Sequence, residues 1–151
     1  MQENDFTTIA AFPQTPLELV YMMPNAQFPL TPEHLKKTNK KRTDPRIALH
    51  NGRIVGYGNY YSYIPNTYCF IGNVIVDPAR RSEGVGRWLV TMLMERALAL
   101  HRMPEVRIAC FENNAHAMEL YRSMGFQPFS TTMRTGLEGD QWPLIRLRRV
   151  A

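Results

Sequence analysis

The chain is short of cysteine. Its two cysteines, Cys69 and Cys110, fall in separate apolar, strand-like runs. They form no disulfide framework and no zinc-ligand spacing, so both read as buried reduced thiols, and no metal is expected. Long apolar runs are missing as well. None approaches the roughly 20 residues that cross a bilayer. The opening, Met1-Gln2-Glu3-Asn4-Asp5, is polar and acidic, unlike a signal peptide. The expectation is a cytoplasmic chain with no membrane partner. Repeats, low-complexity tracts and linker-like stretches are also absent. Residues 1–151 therefore read as one domain, long enough to bury a sizeable core.

What the chain has in excess is positive charge, a formal +5. Its only dense run is Lys36-Lys37-Thr38-Asn39-Lys40-Lys41-Arg42. Steering of an anionic ligand and a solvated basic surface account for this balance, and no nucleic-acid partner is expected.

The hydrophobic pattern predicts strands over residues 6–12, 46–50, 53–63, 67–76, 106–111, 126–134 and 142–150. It predicts helices after Thr15-Pro16, over 31–42, over 84–102 and over 115–124, where Thr15, Thr31 and Asn114 are N-cap residues. Asn51-Gly52 is a two-residue hairpin signal. The order β-α-α-β-β-β-α-β-α-β-β calls for an α/β (α+β) domain with a mixed, mainly antiparallel sheet of about seven strands and about four helices. On the second strand of the hairpin, Tyr57, Asn59, Tyr61 and Tyr63 share a face, and Tyr60 points the other way. The final strand, 142–150, offers an edge through which a homodimer could form.

Two stretches carry chemistry. In the first, the strand Asn73-Val74-Ile75-Val76 runs through Asp77-Pro78-Ala79-Arg80-Arg81-Ser82-Glu83-Gly84-Val85-Gly86 into a long helix. The first backbone N–H groups of a helix have no partner within it, and the helix dipole adds positive potential. Gly84 and Gly86 allow close backbone approach, and Arg80 and Arg81 add charge. This is a phosphate-binding turn. The second stretch is Asn113-Asn114-Ala115-His116-Ala117-Met118-Glu119-Leu120-Tyr121-Arg122-Ser123-Met124-Gly125-Phe126, which follows another strand.

Together these stretches resemble the GNAT superfamily of acyl-CoA-dependent N-acetyltransferases. The family pattern Val-x-Pro-x-x-Arg/Gln-x-x-Gly-x-Gly/Ala falls on Val76, Pro78, Arg81, Gly84 and Gly86. The pattern Asn-x-x-Ala-x-x-Leu-Tyr-x-x-x-Gly-Phe falls on Asn114, Ala117, Leu120, Tyr121, Gly125 and Phe126. The resemblance implies a GNAT-like fold whose fourth and fifth strands, here 67–76 and 106–111, splay apart to hold acetyl-CoA. It implies that the N–H groups of Arg81, Ser82, Glu83, Gly84, Val85, Gly86 and Arg87 contact the pyrophosphate. Backbone groups of Val74, Ile75 and Val76, freed by a bulge, would bind the pantetheine arm and the thioester. Asn114 would also bind that arm, and Tyr121 would donate to the departing thiolate. Ser82 departs from the family's usual glycine, and a positive φ there would carry a steric penalty.

The implied reaction is direct attack of a primary amine on the thioester. A small-molecule amine is preferred as the acceptor. The alternatives are a protein or peptide acceptor, or a non-catalytic acyl-CoA-binding module. Family members that acetylate ribosomal-protein N-termini usually carry a glutamate on the fifth strand, where Ala109 stands here. The glutamate that many members place before the bulge is also missing: that region reads Phe70-Ile71-Gly72-Asn73. Asn73, Tyr60 or Tyr61 could position a water in its place. Asp77, Glu112 and His116 read as surface groups. Phe28 to Leu30 lies where the family often builds part of the acceptor site.

Overall fold

A computed structural model describes residues 1–151. Three helices come first: α1 Glu3–Ala10, α2 Pro16–Met22 and α3 Pro32–Lys40. The hairpin β1 Thr43–His50 and β2 Arg53–Ile64 follows, then β3 Tyr68–Val76, α4 Val85–Ala99, β4 Glu105–Phe111, α5 Ala115–Ser123, β5 Gln127–Thr135 and β6 Gln141–Val150. The predicted first strand, 6–12, is therefore wrong: most of it lies in α1. Asp5 accepts a hydrogen bond from the Gln2 backbone N–H at 2.7 Å, and Glu3 and Asp5 sit in the first turn, where the helix dipole favours them. Phe6, Ile9 and Ala10 bury one helical stripe. Burying Phe6 and Ile9 stabilises by about 1.5–3 kcal/mol each, more than the weak strand preference of the two threonines between them. The sheet accordingly has six strands, and five α-helices flank it. The strands that were fourth and fifth in the sequence reading are β3 and β4.

The N-caps at Thr15 and Thr31 form as expected, each side chain accepting an N–H three residues on at 3.1 Å. The Asn51-Gly52 turn also forms, with φ of 51° and 77°. The sheet order is β1-β2-β3-β4-β6-β5. Every neighbouring pair is antiparallel except β3 with β4. β6 lies between β4 and β5, so the free edge expected of residues 142–150 does not exist. The outer strand at that end is β5.

One face of the sheet packs on α4 and α5. The helical period predicts a stripe of Leu89, Val90, Leu93, Met94, Ala97 and Leu98, and all but Leu98, which is only partly buried, are in the core there. The other face packs on α1 to α3 through Ile9, Leu19, Leu35 and Tyr57. α4 sits unusually low on the sheet. A Cβ on Gly58 would come 2.6 Å from Leu93 Cδ1, and one on Gly56 would come 3.0 Å from Leu89 Cδ2. No helix of the protein is long and apolar enough to cross a membrane.

The end of α4 is tied to β1 by a charged cluster. Asp44 lies 2.6 Å from Arg46, 2.6 Å from Arg96 and 2.9 Å from His101. The other His101 ring nitrogen lies 2.8 Å from the Tyr63 hydroxyl. Burial would raise the Asp44 carboxyl pKa. Hydrogen bonds from Arg96, His101 and Arg46 outweigh burial and hold it at about 2. The folded value lies below the unfolded one, so this stability is present above pH 4 and is lost as pH falls from about 3.8 toward 2. Asn tolerates the left-handed backbone of residue 44, where φ is 47°, so Asp44→Asn removes only the charge. The variant should lose about 2 kcal/mol at pH 7, a fall in Tm of roughly 4–8 °C. The gap between parent and variant should narrow below pH 4. An equal gap at pH 7 and pH 2.5 would show that the charge contributes nothing.

Candidate active site

β3 and β4 are hydrogen-bonded only from Cys69 to Ile71 and from Val106 to Ile108. Beyond Ile71 and Ile108 the strands part, and their facing backbone groups have no partner across the gap. β3 also bulges there. Between Tyr57 opposite Ile75 and Asn59 opposite Gly72, β2 advances two residues and β3 three. Asn73 takes the strain at φ 52°. The gap opens into a cleft of about 1030 Å³, lined by β3, β4, the turn before α4, and α5. Every residue expected at the cofactor lines it except Glu83, which is exposed and stands 3.6 Å from Arg80.

The turn has the geometry its residue types suggest. Gly84 is the N-cap of α4 at φ 83°, and Trp88 N–H is the first to bond back into the helix, to Gly84 O. The N–H groups of Val85, Gly86 and Arg87 are thus free to face an anion. Ser82 sits at φ 67°, so the penalty anticipated for a non-glycine residue applies, about 1–2 kcal/mol. Arg81 is tied back to Glu18 at 2.7 Å and to Phe12 O at 3.3 Å, which pins α2 beside the turn. Burial would raise the Glu18 pKa, but Arg81 and the Gln14 N–H lower it on balance. Arg87 donates to Ser123 at 2.7 Å and joins α4 to α5.

Asn114 caps α5, its Oδ1 accepting from Ala117 N–H at 3.4 Å, and also lines the cleft. Tyr121 is buried, with its ring edge-on to Phe126. Its hydroxyl has no protein partner and is not sealed off; the one fully buried orphan side-chain atom is Asn59 Oδ1. Burial, with a smaller contribution from Cys110, pushes the Tyr121 pKa up, so the phenol stays protonated. Burial also pushes both thiols up, to about 12 for Cys69 and for Cys110, and neither lines the cleft. No group of three or more metal-ligating side chains clusters anywhere.

The residues considered for the amine side separate cleanly. Tyr60 donates to Leu93 O at 2.6 Å on the α4 side and is outside the cleft. The Asn73 side chain, though it lines the cleft, is engaged with the protein. It donates to Met22 O at 2.9 Å and accepts from Arg42 and from Asn59 at 3.0 Å each. Tyr61 also lines the cleft. Its ring covers Gly72, where a Cβ would meet it at 2.4 Å. Tyr63 does not share its face. Ser62, at φ 45°, flips the strand's phase and sends Tyr63 to His101, beside Tyr60. Asp77 caps the turn after β3, Glu112 is exposed, and His116 lines the rim. Phe28 to Leu30 borders a separate shallow pocket against α1. The segment at and just after the end of α2, Tyr21, Met22, Pro24 and Asn25, lines the cleft instead. Sequence reasoning also missed Arg42 and Arg134, the first hidden in a basic run and the second on an outer strand.

The Acetyltransferase (GNAT) family model matches residues 12–126, and the chain belongs to that family. Over 89 residues, 55% of the chain, it is 27% identical to a spermine/spermidine N(1)-acetyltransferase of Bacillus subtilis and covers 59% of that protein. It is 28% identical to an L-methionine sulfoximine/L-methionine sulfone acetyltransferase of Salmonella typhimurium, over 64% of the chain and 57% of the relative. Against a thialysine N-epsilon-acetyltransferase of Bos taurus the identity is 31%, over 62% of the chain and 52% of the relative. The chain thus spans little more than half the length of these curated relatives. Among solved structures, a ribosomal-protein-alanine N-acetyltransferase from Brucella melitensis superposes with a TM-score of 0.79 at 22% identity, over 100% of this chain and 97% of that one. A Bacillus subtilis acetyltransferase solved with CoA gives 0.67 at 20% identity, over 78% and 82%. These likenesses establish the shared fold.

Acetyl-CoA at about 100 times its Kd should stabilise the protein by roughly 2.7 kcal/mol, a rise in Tm of about 5–11 °C. Gly84→Val should abolish that rise. The new Cβ meets nothing within 4 Å, so the damage comes from the backbone conformation. Ser82→Gly should retain the rise. An equal rise in Gly84→Val would remove the turn from the binding site.

Proposed function

We propose that this protein transfers an acetyl group from acetyl-CoA to the primary amine of a small molecule by direct attack on the thioester. The observation that carries this reading is one cleft in which three features converge: the splayed β3–β4 backbone, the Gly84 turn and the Tyr121 hydroxyl. The cleft fits the cofactor chemically. Free N–H groups at the helix start suit a pyrophosphate, and the side of β3 that faces the gap beyond Ile71, with no β4 partner, suits an amide-bearing arm and a carbonyl oxygen. Bound acetyl-CoA would supply the activated acyl group.

The chain's own residues would do the rest. The bulged strand holds the reacting carbonyl in place, and Asn114 steadies the arm. As the amine nitrogen bonds to the carbonyl carbon and the C–S bond breaks, the proton given up by the nitrogen goes to the departing sulfur, toward which Tyr121 donates a hydrogen bond. A thiol has a pKa near 8.5, well below that of this raised phenol, so Tyr121 acts by hydrogen-bonding the developing charge rather than by complete transfer. The buried, protonated cysteines leave no thiolate to carry the acetyl group, which favours one-step transfer. The named substrates of the matched relatives, among them polyamines, methionine sulfoximine and thialysine, favour a small amine. Ala109, in place of the glutamate, weighs against a ribosomal-protein acceptor. Of the two carboxylates lining the cleft, Glu18 is held by Arg81 and Glu119 is exposed on α5, and the lack of an uncommitted base beside the bulge favours one other reading, an acyl-CoA-binding module without turnover.

Tyr121→Phe should lower kcat by about 100-fold while acetyl-CoA still raises Tm as in the parent. Thiol release from acetyl-CoA, followed with a chromogenic disulfide, measures the first quantity. Unchanged turnover would remove Tyr121 from the chemistry. Binding without thiol release for every amine tried would favour the non-catalytic reading.

A further inference from the structure

The charges lining the cleft are lopsided. Arg80, Arg81 and Arg87 sit at the phosphate turn, where an anionic cofactor explains them. Arg42 and Arg134 do not belong to that group. Arg42 leaves the end of α3, donates through Nε to Asn73 at the bulge at 3.0 Å, and holds its guanidinium 5.2 Å from the Tyr61 ring centre. Arg134, on β5, donates through one terminal nitrogen to Asn25 at 2.9 Å. Both are half-buried, and both line the cleft. Neither takes part in any of the protein's ion pairs. Their protein partners are neutral amide oxygens, which fix the direction of each guanidinium and leave its charge uncompensated. Arg146 adds a third charge nearby. It stands across from Ala109 and bonds Thr132 at 3.1 Å. Burial raises the Tyr61 phenol, and the charges of Arg42, Arg146 and Arg134 each oppose that rise.

Negative charge is missing from this end. The carboxylates lining the cleft are Glu18 and Glu119. Glu18 is committed to Arg81, and Glu119 is exposed on α5. An amine whose remainder is cationic would therefore meet like charges and no counter-ion. An amine whose remainder is anionic would meet two oriented guanidiniums and a phenol. Planar guanidinium groups with free N–H pairs are the usual receptors for carboxylates.

We propose that the acceptor is an anion-bearing amine, of the α-amino acid type, whose carboxylate is bound by Arg42 and Arg134 over the Tyr61 ring. This rests on the acetyltransferase reading above and narrows it: specificity runs toward amino acids and away from polyamines. Arg42 has a second duty, since its contact with Asn73 also supports the bulge. Arg134 has none, because its partner Asn25 lies in a loop.

The test compares the common L-α-amino acids with their carboxamides, and with spermidine and putrescine, by thiol release. At least one amino acid should be acetylated with kcat/KM about tenfold or more above its own carboxamide and above both polyamines. Arg134→Gln should raise KM for that amino acid about tenfold, leave kcat within about threefold, and leave the carboxamide unaffected. Arg42→Gln should show the same loss, with a lower Tm besides. A preference for polyamines, equal use of acid and amide, or an Arg134→Gln defect that falls alike on both would overturn the proposal. If no amine is turned over while acetyl-CoA still binds, the acetyltransferase reading fails instead. Calorimetric titration of the CoA-loaded protein with the same amino acids then decides. Saturable binding that Arg134→Gln weakens upholds the carboxylate site, and its absence rejects it.

Discussion

The cleft depends on a pairing that stops early. Two parallel strands as long as β3 and β4 could share a longer ladder, yet they bond only from Cys69 to Ile71 and from Val106 to Ile108. Backbone groups left without partners in a dry interior would cost free energy, about 1–3 kcal/mol each. Here they open on solvent or on a ligand. The bulge at Asn73 and the turn at Gly84 lie on the same continuation of β3, so one departure from regular sheet geometry brings a row of polar groups and a helix start together.

Something must hold that departure in place, and a buried chain of polar side chains does so. The Tyr57 hydroxyl donates to Asn39, Asn59 donates to Tyr57 and to Asn73, and Arg42 donates to Asn73 from the opposite side. Asn73 closes the chain on the carbonyl of Met22. This network fastens α2 and α3 to the bulge and orients Arg42, one of the cleft arginines that no carboxylate neutralises. Its cost is visible in Asn59, whose Oδ1 is left buried without a partner beside Gly72. Such a network stabilises most when all of its members are present, because each removal strands a neighbour.

Much of this was legible beforehand, and the failures have distinct physical causes. The turn and the α5 motif could be read because their chemistry is local: glycine where φ is positive, asparagine as a cap, a helix start after a strand. The stripe on α4 followed from its period. Residues 6–12 were misread because two threonines imitate a strand, while the evidence for a helix lay in tertiary burial of Phe6 and Ile9. Tyr63 was assigned to the wrong face because a single residue, Ser62, breaks the alternation. The position of β6 inside the sheet could not be read from order along the chain, since a crossover places the last strand between β4 and β5. The cleft lining outside the two motifs was the least legible part. Asn25, Arg42, Tyr61 and Arg134 come from four separate elements, and no short motif joins them.

Gly56 and Gly58 let α4 descend onto β2 further than any side chain would allow, with Leu89 and Leu93 filling the space. A helix seated so closely cannot shift without opening a void beneath it. The end of the cleft at the Gly84 turn is therefore built in advance, and a ligand bound there would order little of the protein. At the opposite end the lining is side chains, and two of them, Arg42 and Arg134, are steered by hydrogen bonds to Asn73 and Asn25. The two halves of the cleft thus differ in what a substitution can reach: the first is shaped by backbone, and at the second a single exchange of side chain redraws the wall, at Arg134 without touching the bulge and at Arg42 only by loosening it.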